Sequence, residues 1–486
     1  MRLVRQIYTA WLVIIICSNT GAQTVDKLFQ VPAPLPANIS VDSISGNKLF
    51  IRNITIKGNR KTKDYMILRE IQFKAGDSIA AASVGEAFQL ARQQVYNTTL
   101  FNEVKLEFTM LSAVEIEVTV NVKERWYLYP APQFQLVDRN LNEWWVKYKR
   151  DLSRVNYGVK FVHYNFSGRR DPLRIYLING YTRNISFSYS QPYSNRTLTQ
   201  GFGIGGGLAQ NREMPYKTGY NNQILFFKKE DFVKKNLYGN ISLRLQKGIL
   251  SRQTINVGFS YLKINDSILS PKYNPAYFND NVSSKNIVDL SYTWQYANID
   301  NIAYPLKGVK ASAVLLKRGL GLTGGINLLS TEVNYNRYWA HTHNWYTSIQ
   351  LFGNIKLPFN QPYINQRALG YGETNLRGLE YYVVDGVAFG LAKATLRKKV
   401  FSFSIPFPIK SSSHTSIPFT FYAKTFADAG FTYNKREYLT RLNNRLLYSG
   451  GFGIDVLTLY DVHVRFEYSF NQLGEHGLFL RSQGGL

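Results

Sequence analysis

From about residue 126 onward the chain alternates. Ile185, Phe187 and Tyr189 alternate with Ser186, Ser188 and Ser190. Val288, Leu290, Tyr292, Trp294 and Tyr296 alternate with Asp289, Ser291, Thr293 and Gln295. Val462, Val464, Phe466, Tyr468 and Phe470 alternate with His463, Arg465, Glu467 and Ser469. A period of two marks β-strands with one apolar face. Runs this long, aromatic on one face and polar on the other, predict strands with lipid outside and a wet lumen inside. A soluble sandwich would place aliphatic residues inward on shorter strands. About 360 residues, at roughly 20–25 per strand and turn, give about sixteen antiparallel strands.

The period differs upstream. Ile51, Ile54 and Ile56 mark a strand ending at Gly58-Asn59. Thr62 is placed to cap a helix running to about Ile71, with Asp64 favoured at its positive end. Gly76-Asp77 reads as a turn. Ser83-Val84-Gly85-Glu86 reads as a capping box for a second helix with Val84, Phe88, Ala91 and Val95 on one face. Val114, Ile116, Val118, Val120 and Val122 then alternate with Glu115, Glu117, Thr119, Asn121 and Lys123. The expected order is β-α-α-β-β. The expected division is a signal peptide at 1–22, a Pro-rich linker at 23–48 around Pro32-Ala33-Pro34-Leu35-Pro36, an α+β domain at 49–124 and an all-β transmembrane barrel at 125–486.

Composition sharpens this. Past the N-terminus no apolar run approaches the roughly 18 residues of a spanning helix. The 34 Tyr and 30 Phe suit the aromatic girdles of a barrel. Lys and Arg exceed Asp and Glu by 58 to 32, a formal charge of +26. Arg2 and Arg5, the apolar run Trp11–Ile16, and Thr20 and Ala22 read as an export signal. Its removal leaves +24 and takes away Cys17, the only cysteine. The bland reading of the excess charge is lumen and loop solvation; the sharp one is attraction to anionic lipid or lipopolysaccharide phosphate. The basic residues are scattered along the chain, which favours the bland reading and argues against nucleic acid.

No enzyme constellation stands out among the six histidines, and no cofactor motif appears. His341-Thr342-His343 lacks a nearby third ligand for a metal. Gly203-Ile204-Gly205-Gly206-Gly207 sits in a strand pattern, where small residues relieve crowding. One pairing carries more. A loop reading Leu369-Gly370-Tyr371-Gly372-Glu373, then Leu376-Arg377-Gly378-Leu379, is followed about fifty residues later by Phe426-Ala427-Asp428-Ala429-Gly430 on a strand. A guanidinium from a lumen loop and a carboxylate on the wall form a bidentate anchor in poorly screened surroundings. Gly378 lets the backbone turn beside it.

The segment Ile54-Thr55-Ile56-Lys57-Gly58-Asn59 with Thr62, together with Leu100-Phe101-Asn102-Glu103-Val104, resembles the POTRA domain. Arg377-Gly378 with Asp428 resembles the loop and barrel partner of the BamA/TamA-type family (bacterial surface antigen superfamily). Asp300-Asn301 with Pro305-Leu306-Lys307-Gly308, and Gly450-Gly451-Phe452-Gly453, resemble further family motifs. Leu379 stands where the family usually has an aromatic, and the last residues, Ser482 to Leu486, lack the terminal aromatic of many such barrels. The resemblance implies an outer-membrane location with the POTRA-like domain in the periplasm. It also implies unfolded outer-membrane proteins as clients, with chaperones, accessory lipoproteins and outer-membrane lipid as further partners.

Closure pairs the first strand with the last. Pro130 and Pro132 in the first cannot donate to a ladder. The last, around Gly477 and Phe479, is expected to be short. A seam with few hydrogen bonds can open to a client strand by β-augmentation. The rival readings are a polypeptide-exporting pore, a passive porin, and a specialised carrier of one client or lipid.

Overall fold

A computed structural model describes residues 48–136, 154–246, 248–320, 326–406, 416–435, 440–459 and 462–483. The expected signal peptide and the linker up to residue 47 lie outside the described residues.

The N-terminal unit is a four-stranded sheet carrying two helices. β1 (Lys48–Lys57) pairs antiparallel with β2 (Ser78–Ala80) and parallel with β4 (Glu115–Glu124), which pairs antiparallel with β3 (Phe101–Met110). The sheet order is β2-β1-β4-β3. The alternation in β4 works as expected: Ile116, Val118, Val120 and Val122 are buried under α2 (Val84–Tyr96), which turns Val84, Phe88, Ala91 and Val95 into the same core. Three expectations are corrected. The short strand β2 follows the Gly76-Asp77 turn, so the order is β-α-β-α-β-β. The first helix, α1, is only Asp64–Leu68, and no side chain caps it. Ser83 makes no capping bond either; its hydroxyl donates to the Ala80 carbonyl at 3.0 Å, in a 3-10 turn leading into α2.

The rest is one sixteen-stranded antiparallel sheet among the described residues. Each strand pairs with the next along the chain, from Leu128–Leu136 to His476–Gln483. Only two small additions interrupt this meander: the hairpin Glu213–Thr218 with Ile224–Lys228, and a pair of short strands in the loop after the eleventh strand, Trp345–Leu357. Side-chain parity follows the sequence. Leu237, Ile241, Val257, Phe259, Leu351 and Phe452 are exposed on the outer wall, while their sequence neighbours face the interior. An apolar outer band of this extent has no stable place in water and suits hydrocarbon. The glycine-rich stretch belongs to the fifth strand, Gln200–Asn211, where a Cβ on Gly203 would lie 2.6 Å from the Ser242 hydroxyl.

The N-terminal domain packs on the turns at one end of the barrel. Thr62, expected as a helix cap, is buried here instead. Its hydroxyl lies 2.9 Å from the Tyr127 hydroxyl and accepts from Asn165 Nδ2 at 3.0 Å. The Arg69 guanidinium donates to the carbonyls of Leu198, Gln246 and Gly248. Glu70 pairs with Arg170 at 3.3 Å and accepts from the Tyr193 hydroxyl at 3.0 Å. Asn97 donates to the Ile299 carbonyl at 2.9 Å. Four successive turns of the barrel are thus tied to one small domain.

Candidate functional site: the docked loop and the seam

Residues 358–387 connect the eleventh strand to the twelfth, Ala388–Pro406, at the end of the barrel away from the N-terminal domain. The thirteenth strand, Ser416–Tyr433, turns its even-numbered residues inward over its buried stretch, so Phe426, Asp428 and Gly430 face the loop in consecutive inward positions. Arg377 reaches them. Its Nε donates to both Asp428 oxygens at 3.2 and 3.0 Å, its backbone N–H donates to Oδ2 at 2.9 Å, and Nη2 pairs with Oδ1. Nη1 donates to the Thr395 hydroxyl at 2.9 Å and Nη2 to the Ala394 carbonyl at 3.2 Å. The guanidinium lies 4.0 Å from the centre of the Phe426 ring. Arg377 is 7% exposed and Asp428 3%. The anchor expected from sequence is present, and it contains two partners, Thr395 and Ala394, that no spacing revealed.

The surrounding motif residues make room. A Cβ on Gly430 would lie 3.1 Å from Leu369 Cδ1 and 3.2 Å from Leu376 Cδ1. Leu376 is buried with Leu369, Leu391 and Leu447. Leu379, in place of the usual aromatic, joins this cluster, which explains the departure as core filling. Gly370 and Gly378 have φ of +85° and +88°, a region closed to most side chains. Gly372 also has positive φ, in a short 3-10 turn that includes Glu373. Gly451 leaves space for the Phe426 ring. From above, Asn222 at the tip of the 213–228 hairpin is fully buried and exchanges bonds with Val383, taking its N–H at 2.8 Å and donating Nδ2 to its carbonyl at 3.0 Å.

The loop also grips the last strands. Glu380 pairs with Arg481, the Tyr381 ring lies 5.8 Å from Phe479, and Asn471 donates to the Gly378 carbonyl at 2.8 Å. Below it the lumen wall carries a buried charge network. Lys424 pairs with Asp455 and, at 2.7 Å, with Glu467. The Tyr304 hydroxyl, from the turn after the eighth strand, Ser284–Ile299, donates to Asp455 at 2.8 Å. That turn is the Asp300–Gly308 motif: Asp300 Oδ1 accepts from the N–H groups of Leu306 and Lys307 at 2.9 and 3.1 Å. Loop from one end and turn from the other therefore both occupy the interior. Sequence reading missed Tyr304 as an anchor, since only the barrel brings it to Asp455.

The first and last strands share no backbone ladder among the described residues. Register shows how their edges are arranged. Tyr164 N–H donates to the Tyr127 carbonyl, and pairing runs without a shift from Leu128–His163 to Leu136–Val155. Odd residues of the first strand therefore bond to the second strand, and even residues present their backbone to the seam. Pro130 and Pro132 lie on that free edge and delete two of its donors. On the other side, Asn471 N–H donates to the Glu475 carbonyl, so odd residues bond inward and His476, Leu478, Leu480 and Ser482 present theirs to the seam. This corrects the expectation for Gly477 and Phe479: both give their backbone to the fifteenth strand, His463–Asn471, and point into the lumen. The last strand is also longer than expected, at His476–Gln483.

The POTRA family model, described as a surface antigen variable number repeat, matches residues 49–125. Among solved structures, BamA from Haemophilus ducreyi lacking POTRA domains 1–3 is 16% identical, with a TM-score of 0.50 over 90% of this chain and 84% of that one. CdiB from Escherichia coli is 12% identical, with a TM-score of 0.52 over 89% of this chain and 75% of that one. At these identities the likeness is one of fold. Among the described residues the chain is thus one domain matched by the POTRA model, joined to a sixteen-stranded antiparallel barrel whose fold is like that of BamA and CdiB.

Proposed function

We propose that this chain folds client β-barrel proteins into the outer membrane through the seam between its first and last strands, with its POTRA domain on the periplasmic side. The observation that carries this reading is the seam: the first and last strands share no ladder among the described residues, and Pro130 and Pro132 remove two donors from one edge. In lipid an unpaired edge attracts any strand that can satisfy it. A client strand pairs there by β-augmentation, and its barrel grows outward into the hydrocarbon. Nothing in this process calls for catalytic chemistry, a metal or a cofactor. Unfolded client barrels are the partners, delivered by periplasmic chaperones or accessory lipoproteins. Occupation of the lumen by the loop and the Tyr304 turn weighs against wide passage of a polypeptide, the reading that likeness to CdiB keeps open.

The test is a disulfide across the seam. Gln133→Cys and Phe479→Cys place thiols on the two edge strands of a chain whose native Cys17 lies in the expected signal peptide. Oxidised protein in liposomes should stop inserting a client barrel, and reductant should restore insertion. Insertion by the locked protein at the unlocked rate sinks the seam mechanism. Continued export of a polypeptide by the locked protein favours the pore.

A further inference from the structure

The rim opposite the POTRA domain carries a row of cations that the sequence disperses. Arg183 in the fourth strand, Thr182–Gln191, is paired across the ladder with Gln210 in the fifth. Gln210 is paired with Lys235 in the sixth strand, Lys234–Leu245. Lys235 is paired with Lys263 in the seventh, Ser251–Ile264. All four share the parity of the outer, apolar face. The row directly below, toward the POTRA end, is Ile185, Leu208, Leu237 and Tyr261, in the same pairings. The polar row therefore sits where the hydrocarbon-facing surface ends.

Three features make this more than solvated charge. Lys235 and Lys263 stand directly opposite each other, an arrangement that destabilises a sheet unless an anion joins them. The guanidiniums of Arg183 and Arg212 lie 5.1 and 5.4 Å from one ring, Phe232, and the buried Arg212 Nε has no hydrogen-bond partner among the described residues. The nearby carboxylates do not neutralise the row. Glu213 is held by Lys228 at 2.8 Å and by the Tyr181 hydroxyl at 3.0 Å, and Glu230 and Asp231 form no ion pair with Arg183, Lys235 or Lys263 among the described residues.

We propose that this row binds the phosphorylated headgroup of a glycolipid in the outer leaflet, with its acyl chains lying along Ile185, Leu208, Leu237 and Tyr261. Neighbouring strands are about 4.8 Å apart, so one phosphate bridges Lys235 and Lys263 while Arg183, two strands away at about 10 Å, takes a second. Arg183 already donates to the Asn179 and Gln210 amide oxygens at 3.0 and 3.1 Å, so a single-phosphate lipid would leave either this arginine or the lysine pair without an anion. Chemistry and depth agree: charge at the headgroup plane, apolar wall beneath.

The test uses the full chain in zwitterionic detergent, titrated with bis-phosphorylated lipid A and read by native mass spectrometry. Arg183→Gln, Lys235→Gln and Lys263→Gln combined should weaken binding roughly five-fold per neutralised cation, on the order of a hundredfold in all. Lys398→Gln, at the opposite rim beside Trp345, should leave it unchanged. Retained heat-modifiable migration of the triple variant shows that its barrel is folded. Unchanged affinity in that folded variant overturns the proposal. So does equal binding of dephosphorylated lipid A, which would assign binding to the acyl chains. Equal, row-dependent binding of phosphatidylglycerol, or full competition by millimolar inorganic phosphate, overturns the glycolipid assignment in favour of a generic anion site.

Discussion

Arg377→Ala tests the anchor most directly. It removes every side-chain donor that reaches Asp428 from the loop and leaves the backbone N–H of residue 377 as the remaining contact from there. The Asp428 side chain is wholly buried. Breaking one partner out of a buried pair costs about 3–5 kcal/mol, because the other charge is left without compensation. That exceeds what a loop can absorb, yet the barrel ladders do not depend on it. The expected result is therefore an undocked loop in a folded barrel. Two readouts follow: protease cleavage within 358–387 should appear in reconstituted protein, while heat-modifiable migration persists. Arg377→Lys should be intermediate, since one ammonium cannot replace the bidentate fork and also reach Thr395 and Ala394. A double-mutant cycle with Asp428→Ala should give a coupling of about 2 kcal/mol or more in urea unfolding. Unchanged protease protection together with a coupling near zero would refute the reasoning.

Four further outcomes are expected. Thr62→Val leaves the Asn165 amide and Tyr127 hydroxyl short of a partner and should loosen the POTRA–barrel contact by about 1–3 kcal/mol, seen as faster amide exchange in residues 61–70. Tyr304→Phe frees the turn from Asp455 and should raise single-channel conductance in planar bilayers. Gly451→Ala sets a Cβ 2.2 Å from the Tyr468 carbonyl oxygen, a backbone clash that should cut the folded yield in refolding assays. Burial alone would raise the Glu103 carboxyl, but Lys105 and Lys123 outweigh it and hold the group below its ordinary range. A lowered carboxylate stabilises above its unfolded value of about 4.3 and loses that contribution as pH falls through the folded value. Glu103→Gln should therefore flatten the acid side of the POTRA melting profile, measured as Tm against pH from 3 to 7.

What could be read from the sequence was whatever is written locally. Alternation in Val288–Tyr296 and Val462–Phe470 reports one strand at a time, and strands kept their faces on folding. The Arg377–Asp428 pair was legible because a loop motif and a strand motif each carry their own signature. Thr62 misled because its helix-capping signal is also the signature of a buried hydroxyl, and the barrel turn at Asn165 claimed it. Gly477 and Phe479 were misplaced because the direction of a backbone N–H depends on register, which a single strand does not encode. The row of Arg183, Lys235 and Lys263 was invisible for a different reason. Each residue is an ordinary surface cation on its own strand, and only the ladder gathers residues 52 and 28 positions apart into one line.

The two prolines have a consequence for exchange. Their rings remove N–H groups from the free edge but leave the carbonyls of Pro130 and Pro132 in place, so a strand resting there can give hydrogen bonds and receives fewer in return. The opposite edge, with His476, Leu478, Leu480 and Ser482, keeps a full set of both. Any visitor, and equally the barrel's own opposite edge, is held by one side and only leaned upon by the other. Such an interface favours turnover over tenure: under the proposed function, the proline side is the one from which a paired strand is released.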